Sequence, residues 1–514
     1  MGLWRKVFYC LWLRHDEKLS PERIQQLQQR RLRRLVRFAK DRSPFLREHY
    51  RHVDPEAPDF SIEQVPPTSK AMLMENFDRV VTRPDLRMDE IREWIRDPTQ
   101  VGQWYRGRYV VTHTSGTTGA PGIFVFDRRE WDWIHAFSVT RGVRFKPSFG
   151  AFFRHAASIL VHKVRVALVS VLGGHFVTYV LFRLTPRVAR LASRIHYLPV
   201  VEPVGALVAR LNAIQPQVLH CYPTMLEILA HEQREGRLAI RPWVISCSSE
   251  PLTRLARQSI EGAFPSSPLF ETYGTSEGVN LASECGQHDG LHLNTDFYIV
   301  ESVDTDNRPT PSGQAGDKIL LTCLFTRTLP IVRYEINDVT MPIDEPCPCG
   351  LPFPRIRVQG RTDDIFWVQD PRGEWLPLPP IPFEAQFLNV EGLLQYQLVQ
   401  VERQRLLVRF RPRRRADVPR LTEQIRCRLQ EHLAQRGLES CVSLAVEAVD
   451  EIPRDPKSGK IRQILSLVER PYLPGRPLGD RRTGDERRQL EIPEAEEERR
   501  QAPRRSEDGS GEGA

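Results

Sequence analysis

The sequence predicts an α/β protein: a large N-terminal domain with mainly parallel sheets, followed by a small C-terminal α/β domain. Three observations carry this. Beyond residue 122, helical patterns alternate with short β-rich runs such as Val218-Leu219-His220-Cys221-Tyr222 and Trp243-Val244-Ile245-Ser246-Cys247, as parallel strands joined by crossover helices require. Polar clusters stand where the ends of such strands fall: Ser248-Ser249-Glu250-Pro251, Glu271-Thr272-Tyr273-Gly274-Thr275-Ser276-Glu277-Gly278 and Arg333-Tyr334-Glu335-Ile336-Asn337-Asp338. The chain then changes character at Gly360-Arg361-Thr362-Asp363-Asp364, after which a compact set of strands and one helix follows. A length of 514 residues suits two or more domains, and 40% apolar with 27% charged residues excludes disorder overall.

The chain opens on Met1-Gly2-Leu3-Trp4-Arg5-Lys6-Val7-Phe8-Tyr9-Cys10-Leu11-Trp12-Leu13-Arg14, which is aromatic and basic but too short to span a bilayer. We expect residues 1–19 to dock on the protein, with weak contact to a membrane surface as the alternative. Lys6 breaks the myristoylation pattern that Gly2 invites. Ser20-Pro21 opens a helix in which Ile24, Leu27, Leu32, Leu35 and Ala39 recur at helical spacing, and Arg30, Arg31, Arg33, Arg34 and Arg37 read as its solvated face. From Phe60 to Trp104 the only firm punctuation is Pro66-Pro67, Arg83-Pro84 and Asp97-Pro98, and no element can be placed.

Between the apolar runs Tyr109-Val110-Val111 and Ile123-Phe124-Val125-Phe126 lies Thr112-His113-Thr114-Ser115-Gly116-Thr117-Thr118-Gly119-Ala120-Pro121-Gly122. It reads as a tight loop between two strands. Gly116, Gly119 and Gly122 let backbone approach a ligand, and five Ser/Thr hydroxyls supply neutral donors suited to phosphate oxygens. The spacing excludes a Walker loop, which needs a second Gly where Pro121 stands, and a Gly-x-Gly-x-x-Gly dinucleotide loop. Taken alone, it is also compatible with a surface turn.

Val166 to Phe182 carries no charge, but Gly173-Gly174-His175 interrupts it, so a buried strand and helix fit better than a membrane span. Past residue 361, strands are expected near Tyr396–Val401 and Leu406–Phe410. A helix bearing Leu421, Ile425, Leu429 and Leu433 and a strand Val442–Val446 follow. Asp455-Pro456-Lys457-Ser458-Gly459 then forms a turn presenting Lys460. Residues 470–514 are rich in Arg, Glu, Pro and Gly and should be disordered. The expected division is 1–19, 20–360, 361–469 and 470–514.

Net charge is +8, yet basic residues are scattered among acids, which disfavours nucleic-acid binding and suits anionic small substrates. Nine cysteines at irregular positions point to a reducing cytosol rather than a disulfide framework.

Five clusters stand in one order: Pro66-Pro67-Thr68-Ser69-Lys70, Ser115-Gly116-Thr117-Thr118-Gly119, Tyr273-Gly274-Thr275-Ser276-Glu277, Gly360-Arg361-Thr362-Asp363-Asp364 and Ser458-Gly459-Lys460. In this order they resemble the acyl-adenylate-forming (ANL) ligase superfamily over residues 20–468. The resemblance is nearest to its phenylacetate–coenzyme A ligase-like branch, with its capsular-polysaccharide-type and deazaflavin-cofactor-adenylating relatives. It implies that ATP and a carboxylic acid, possible aromatic acids included, give an acyl-adenylate and pyrophosphate, after which a thiol, usually that of coenzyme A, takes the acyl group. It implies a large ATP- and acid-binding domain and a small domain carrying the catalytic lysine.

On this resemblance Thr114, Ser115, Gly116, Thr117, Thr118 and Gly119 hold the β- and γ-phosphates, and Ser249, Glu250 and Pro251 border the adenine. Tyr273, Gly274 and Thr275 belong to the nucleotide site, Ser276 meets the α-phosphate and Glu277 holds Mg²⁺. Asp338 accepts from the ribose hydroxyls, Arg361 reaches ribose or phosphate, Lys460 is catalytic and Asp363 is the hinge. Attack of a weak carboxylate on the α-phosphorus gathers charge on non-bridging oxygens, so Mg²⁺ and a lysine are the groups the chemistry needs. Phe176, Tyr222 and Pro223 are candidates for the acid pocket.

Two departures from the family pattern bear on this. Ala120-Pro121-Gly122 stands where many relatives carry a lysine, so phosphate charge must be met elsewhere. Gly373-Glu374-Trp375-Leu376-Pro377 replaces a glycine-rich segment that commonly lines the thiol tunnel, which leaves coenzyme A open as acceptor.

Cys347-Pro348-Cys349-Gly350 with Cys285 and His292 would supply three thiolates and an imidazole for a structural Zn²⁺, set against four reduced, uncoordinated side chains. Rival functions are adenylyl transfer to a hydroxyl of a cofactor, a serine hydrolase through Gly274-Thr275-Ser276-Glu277-Gly278, and a non-catalytic protein on a ligase scaffold. The hydrolase motif needs a helix directly after it, and the sequence there is too broken. The run Arg409-Phe410-Arg411-Pro412-Arg413-Arg414-Arg415 is either a solvated loop or a contact for coenzyme A or an acidic carrier protein.

Overall fold

The structure is a computed structural model. It describes residues 2–114, 121–142, 163–172, 174–200, 202–361, 366–371, 373, 375–378, 383, 385–387, 390–435, 437–454 and 461–468. Ser115, Gly116, Thr117, Thr118, Gly119, Asp363, Lys460 and the segment 470–514 therefore lie outside the described residues.

Helix α1, Gly2–Asp16, lies on the helix Arg128–Thr140. The Tyr9 ring stacks on Trp133 with centroids 3.7 Å apart, and Arg5 and Lys6 both pair with the buried Asp132. At its other end, fully buried Arg141 reaches Asp296 through two 2.8 Å bonds and donates to the Leu13 carbonyl at 3.0 Å. The segment docks, as its composition leads one to expect. No helix among the described residues is long and apolar enough to cross a membrane.

Helix α2, Pro21–Arg42, is capped by Ser20 and buries Ile24, Leu32, Leu35, Val36 and Ala39. Arg30, Arg34 and Arg37 lie on the expected solvated face, while Arg31 and Arg33 depart from it. Arg33 donates to the carbonyls of Pro55 and Ala57 at 2.7 Å each, and Arg31 stacks on Phe297 beside Asp16. A long guanidinium stem can fold back to satisfy loop carbonyls while its Cα faces outward.

Strands β1 (Tyr109–His113) and β2 (Ile123–Asp127) form the antiparallel pair expected on either side of the glycine loop. The main sheet has nine strands: β3 (Val164–Ser170), β4 (Ser193–Pro199), β5 (Val218–Cys221), β6 (Val244–Cys247), β7 (Leu269–Tyr273), β8 (Ala282–Glu284), β9 (Leu291–Leu293), β13 (Asp338–Ile343) and β14 (Arg355–Arg361). In space they run β4-β3-β5-β6-β7 in parallel, and the sheet then continues antiparallel as β8-β9-β14-β13. The helices Val204–Ile214, Pro223–Arg234 and Arg254–Ala263 are the crossovers of the parallel half, and their apolar faces with β3, β5 and β6 make one core. This is the α/β architecture expected, with an antiparallel extension.

Strands β10 (Tyr298–Val303), β11 (Lys318–Cys323) and β12 (Tyr334–Ile336) form a smaller sheet over a second core shared with α1, α2, β1 and β2. The last part pairs β15 (Phe366–Gln369) with β16 (Trp375–Leu378). It also orders β17 (Leu393–Glu402), β18 (Arg405–Pro412), β19 (Ser443–Ala448) and β20 (Ile464–Ser466) as β19-β18-β17-β20. The helix Val418–Ala434, capped by Asp417, buries Leu421, Ile425, Leu429 and Leu433 in a third core, each worth about 1.5–3 kcal/mol. Spacing by four places all of them on one face.

Candidate functional site

β5, β6 and β7 run parallel, so the residues following Cys221, Cys247 and Tyr273 emerge at one end of the sheet. That end collects the polar clusters. Glu250 accepts from the Thr224 backbone N–H at 3.1 Å and its hydroxyl at 2.9 Å, joining the 248–251 turn to the start of the helix Pro223–Arg234. Ser249 adopts φ of 71°, a left-handed conformation uncommon for a side-chain-bearing residue. Such conformations concentrate at functional turns.

The 273–279 turn is tightly determined. A Cβ on Gly274 would lie 1.6 Å from the Val279 carbonyl oxygen, so only glycine fits. The Val279 N–H donates to the Thr275 carbonyl at 2.8 Å, and Val279 itself has φ of 69°. The Tyr298 hydroxyl donates to the Gly278 carbonyl at 2.6 Å. This leads into β8 rather than a helix, so the serine-hydrolase geometry is absent and Ser276 instead donates to the His113 carbonyl at 3.4 Å.

That bond joins the turn to the glycine loop. The Thr112 hydroxyl reaches the Ser276 carbonyl at 3.4 Å, and the loop base closes on itself: Thr114 N–H to Gly122 O at 3.0 Å, Gly122 N–H to Thr114 Oγ1 at 2.8 Å. Thr114, the described end of the loop, thus lies close to Ser276.

Nothing in the sequence alone assigns a role to His113 or Lys70. His113 donates from Nδ1 to the Thr114 carbonyl at 2.8 Å and accepts at Nε2 from the His175 N–H at 3.1 Å, which assigns the neutral ring; burial lowers its pKa to match. Phe176 packs edge-on against this imidazole, with centroids 4.8 Å apart. The Tyr222 hydroxyl is engaged with Ser170 at 2.9 Å and the Val171 N–H at 3.2 Å, and Pro223 opens the buried helix beside it. Gly174, with φ of 64°, turns the chain just before His175.

Lys70 opens the helix Lys70–Glu75, whose cap is Ser69. The preceding Thr68 bonds into β12: its N–H donates to the Arg333 carbonyl at 3.0 Å and its carbonyl accepts from the Glu335 N–H at 2.9 Å. Buried Arg333 grips Glu301 at 2.8 and 3.1 Å and the carbonyls of Glu63 and Val65 at 3.1 and 3.0 Å. So anchored, the Lys70 stem passes Gly122, its Cδ 3.5 Å from where a Cβ would stand there. A lysine from another element reaches the loop whose own lysine position holds Ala-Pro-Gly.

Asp338 opens β13, and Arg361 closes β14 directly opposite it in the register. The Tyr273 hydroxyl donates to Asp338 Oδ2 at 2.7 Å, and Arg361 Nη1 lies 3.7 Å from Oδ1. Glu277 is buried beside them; burial raises its carboxyl pKa, and the Asp338 charge adds to this against Arg361. A buried carboxylate near a second one is a site where a divalent cation is favoured. Tyr273, Glu277, Asp338 and Arg361 are therefore gathered with Thr114 and Ser276.

The remaining expectations divide. β15 and β16 pair antiparallel, with Gln369 opposite Trp375 and the Arg403 guanidinium over the Trp375 ring at 4.9 Å. In the basic run, Arg409 pairs with Glu447 at 2.9 Å and Arg413 donates to the Leu393 carbonyl at 3.1 Å, so two of its cations are used internally. A cavity of about 440 Å³ lined by Arg5, Arg83, Tyr109 and Asp127 lies at the opposite end of the β1–β2 pair from the glycine loop and belongs to no part of this site. Cys285, His292, Cys347 and Cys349 converge, their ligand atoms all within 4.8 Å of one another.

No family model matches the chain. A phenylacetate–coenzyme A ligase of Thermus thermophilus is 25% identical over 74% of this chain and 79% of its own length. One of Pseudomonas putida is 31% identical, over 35% of this chain and 40% of its own length. Among solved structures, 2-hydroxyisobutyryl-CoA ligase in its postadenylation state, bound to an adenylate, matches with a TM-score of 0.65 and 20% identity over 88% of this chain and 91% of that one. The chain is thus similar over 74% of its length to a phenylacetate–coenzyme A ligase, and it shares the fold of an acyl-adenylate-forming ligase.

Proposed function

We propose that the protein is an AMP-forming acid–thiol ligase, which adenylates a carboxylic acid with ATP, releases pyrophosphate and passes the acyl group to coenzyme A. The observation that carries this reading is the meeting of the glycine-loop base, Ser276, Glu277 and the Tyr273–Asp338–Arg361 set. On this reading the loop from Thr114 to Gly119 faces the β- and γ-phosphates, Ser249-Glu250-Pro251 borders the adenine, and Ser276 faces the α-phosphate. Asp338, opposite Arg361, accepts from the ribose hydroxyls, and Tyr273 orients it. Glu277 would hold Mg²⁺, which would supply positive charge against the phosphate oxygens. Lys70 supplies the cation that the loop lacks.

Lys460 would stabilise the charge developing at the α-phosphorus, and Asp363 would be the hinge of a small domain spanning 361–469, beside a large domain of 20–360. The acid is best read as apolar, with Phe176, Tyr222 and Pro223 on its pocket wall, aromatic acids being the first to try. Irregularly placed cysteines suit the reducing cytosol as the site of action.

The test is product analysis with an acid panel, ATP and Mg²⁺. Hydroxamates formed on adding hydroxylamine, and thioesters formed on adding coenzyme A, are expected. The second reading, adenylyl transfer to a hydroxyl, is favoured by the β15–β16 pair, which stands where a thiol tunnel commonly has its glycine-rich lining. A stable adenylated product with no hydroxamate would select it.

A further inference from the structure

The antiparallel half of the main sheet ends in a cluster that the adenylation chemistry does not use. Cys285 directly follows β8, His292 is the middle residue of β9, and Cys347 and Cys349 lie in the connection between β13 and β14. We propose that these four residues form a closed, structural Zn²⁺ site that clamps the β13–β14 connection onto β8 and β9.

Two of the distances between ligand atoms lie near the edges of a zinc tetrahedron. Zinc–sulfur bonds of about 2.3 Å and zinc–nitrogen bonds of about 2.0–2.1 Å at tetrahedral angles set sulfur–sulfur edges of about 3.8 Å and sulfur–nitrogen edges of about 3.6 Å. The Cys285 and Cys347 sulfurs are 3.7 Å apart, and the Cys349 sulfur is 3.3 Å from His292 Nε2. A disulfide would bring two sulfurs to about 2.05 Å, far inside this spacing.

The surroundings are those of ligands held in place. His292 is fully buried, and its Nδ1 lies 2.9 Å from the Phe353 carbonyl, which takes the Nδ1 proton and leaves the Nε2 lone pair facing the cysteines. The Gln287 N–H points at the Cys285 sulfur at 3.5 Å and fixes its direction. Cys-Pro-Cys-Gly is tighter than the usual pair spacing; Gly350, at φ of 76°, turns the chain so that its N–H bonds the Cys347 carbonyl at 3.1 Å and both sulfurs face inward. Three thiolates and one imidazole fill all four positions, so the ion has no place for substrate.

Location gives the site its purpose. His292 is the register partner of both Ser283 on β8 and Arg355 on β14. β13 and β14 carry Asp338 and Arg361 at the ends remote from the cysteines. A metal at the closed end of this ribbon fixes the strands whose open end presents the Asp338–Arg361 pair.

The test reads metal directly, without ATP or acid, so it stands or falls apart from the ligase reading. Protein purified under reducing conditions should hold about one equivalent of zinc by elemental analysis. After exchange into Co²⁺ it should show a thiolate-to-cobalt charge-transfer band with the intense d–d bands of a tetrahedral centre. The Cys347→Ser/Cys349→Ser variant should lose the zinc and melt several degrees lower; if it fails to fold, the cobalt spectrum of the wild type decides. Zinc below about a tenth of an equivalent with no cobalt–thiolate band on reconstitution would overturn the proposal. So would a Cys285–Cys347 disulfide in the reduced preparation, or a serine variant that keeps its full zinc.

Discussion

The Tyr273 hydroxyl donates a 2.7 Å hydrogen bond to Asp338 across 65 positions of sequence, tying the end of β7 to the start of β13. The donor leaves Oδ1 facing Arg361, so the carboxylate is oriented from one side and faces a cation on the other. Removing the charge and removing its positioning should therefore differ in size. Asp338→Asn should raise the KM for ATP about 10- to 100-fold, the scale of one charged hydrogen bond, and Tyr273→Phe about 3- to 10-fold. Steady-state kinetics at saturating acid measures both; equal, negligible effects would remove Asp338 from the nucleotide site.

Lys70 is expected to carry the work of the absent loop lysine. Lys70→Ala should lower kcat/KM for ATP about 10- to 100-fold while leaving the melting temperature within a degree or two, since the helix cap is Ser69. Restoring a lysine in the loop as Ala120→Lys should recover part of the loss. Unchanged kcat/KM in Lys70→Ala assigns the lysine to the surface.

Burial, reinforced by the nearby Glu284, raises the Glu271 carboxyl pKa to about 8. An acid that stays protonated in the folded state binds more protons there than in the unfolded chain. Stability should thus fall as pH rises from the unfolded value near 4.5 through about 8, then level off. Glu271→Gln keeps an acceptor for the Leu252 N–H and should flatten that decline, melting higher than wild type at pH 8.5 and equally at pH 5. Parallel melting curves of wild type and variant across this range would contradict the raised pKa.

What was legible in the sequence was local chemistry at strand ends. Glycines and hydroxyls mark a turn wherever they fall, so the 112–122 loop base, the 273–278 turn and the Cys347/Cys349 pair could be read without knowing the fold. Sheet direction could not: β8 and β9 are three residues each, too short for periodicity, and the turn from parallel to antiparallel pairing at β7 leaves no mark in composition. The region 60–104 resisted because its helices, Lys70–Glu75, Phe77–Val80 and Met88–Arg96, run four to nine residues. Arg31 and Arg33 show the limit of helical spacing, which tells where a Cα points and not where a five-donor side chain ends. The place of Lys70 depends on Thr68 pairing with β12 and on Arg333 beneath it, contacts more than 260 positions apart.

Acid adenylation is expected to depend on the cation of Lys460. ATP–pyrophosphate exchange with Mg²⁺ across aryl, fatty and amino acids, comparing wild type with Lys460→Ala, tests it most directly. Exchange with some acids, falling about 10²- to 10³-fold in the variant, is the predicted result. Exchange that survives the substitution would take Lys460 out of the mechanism, and no exchange with any acid would contradict acid adenylation itself.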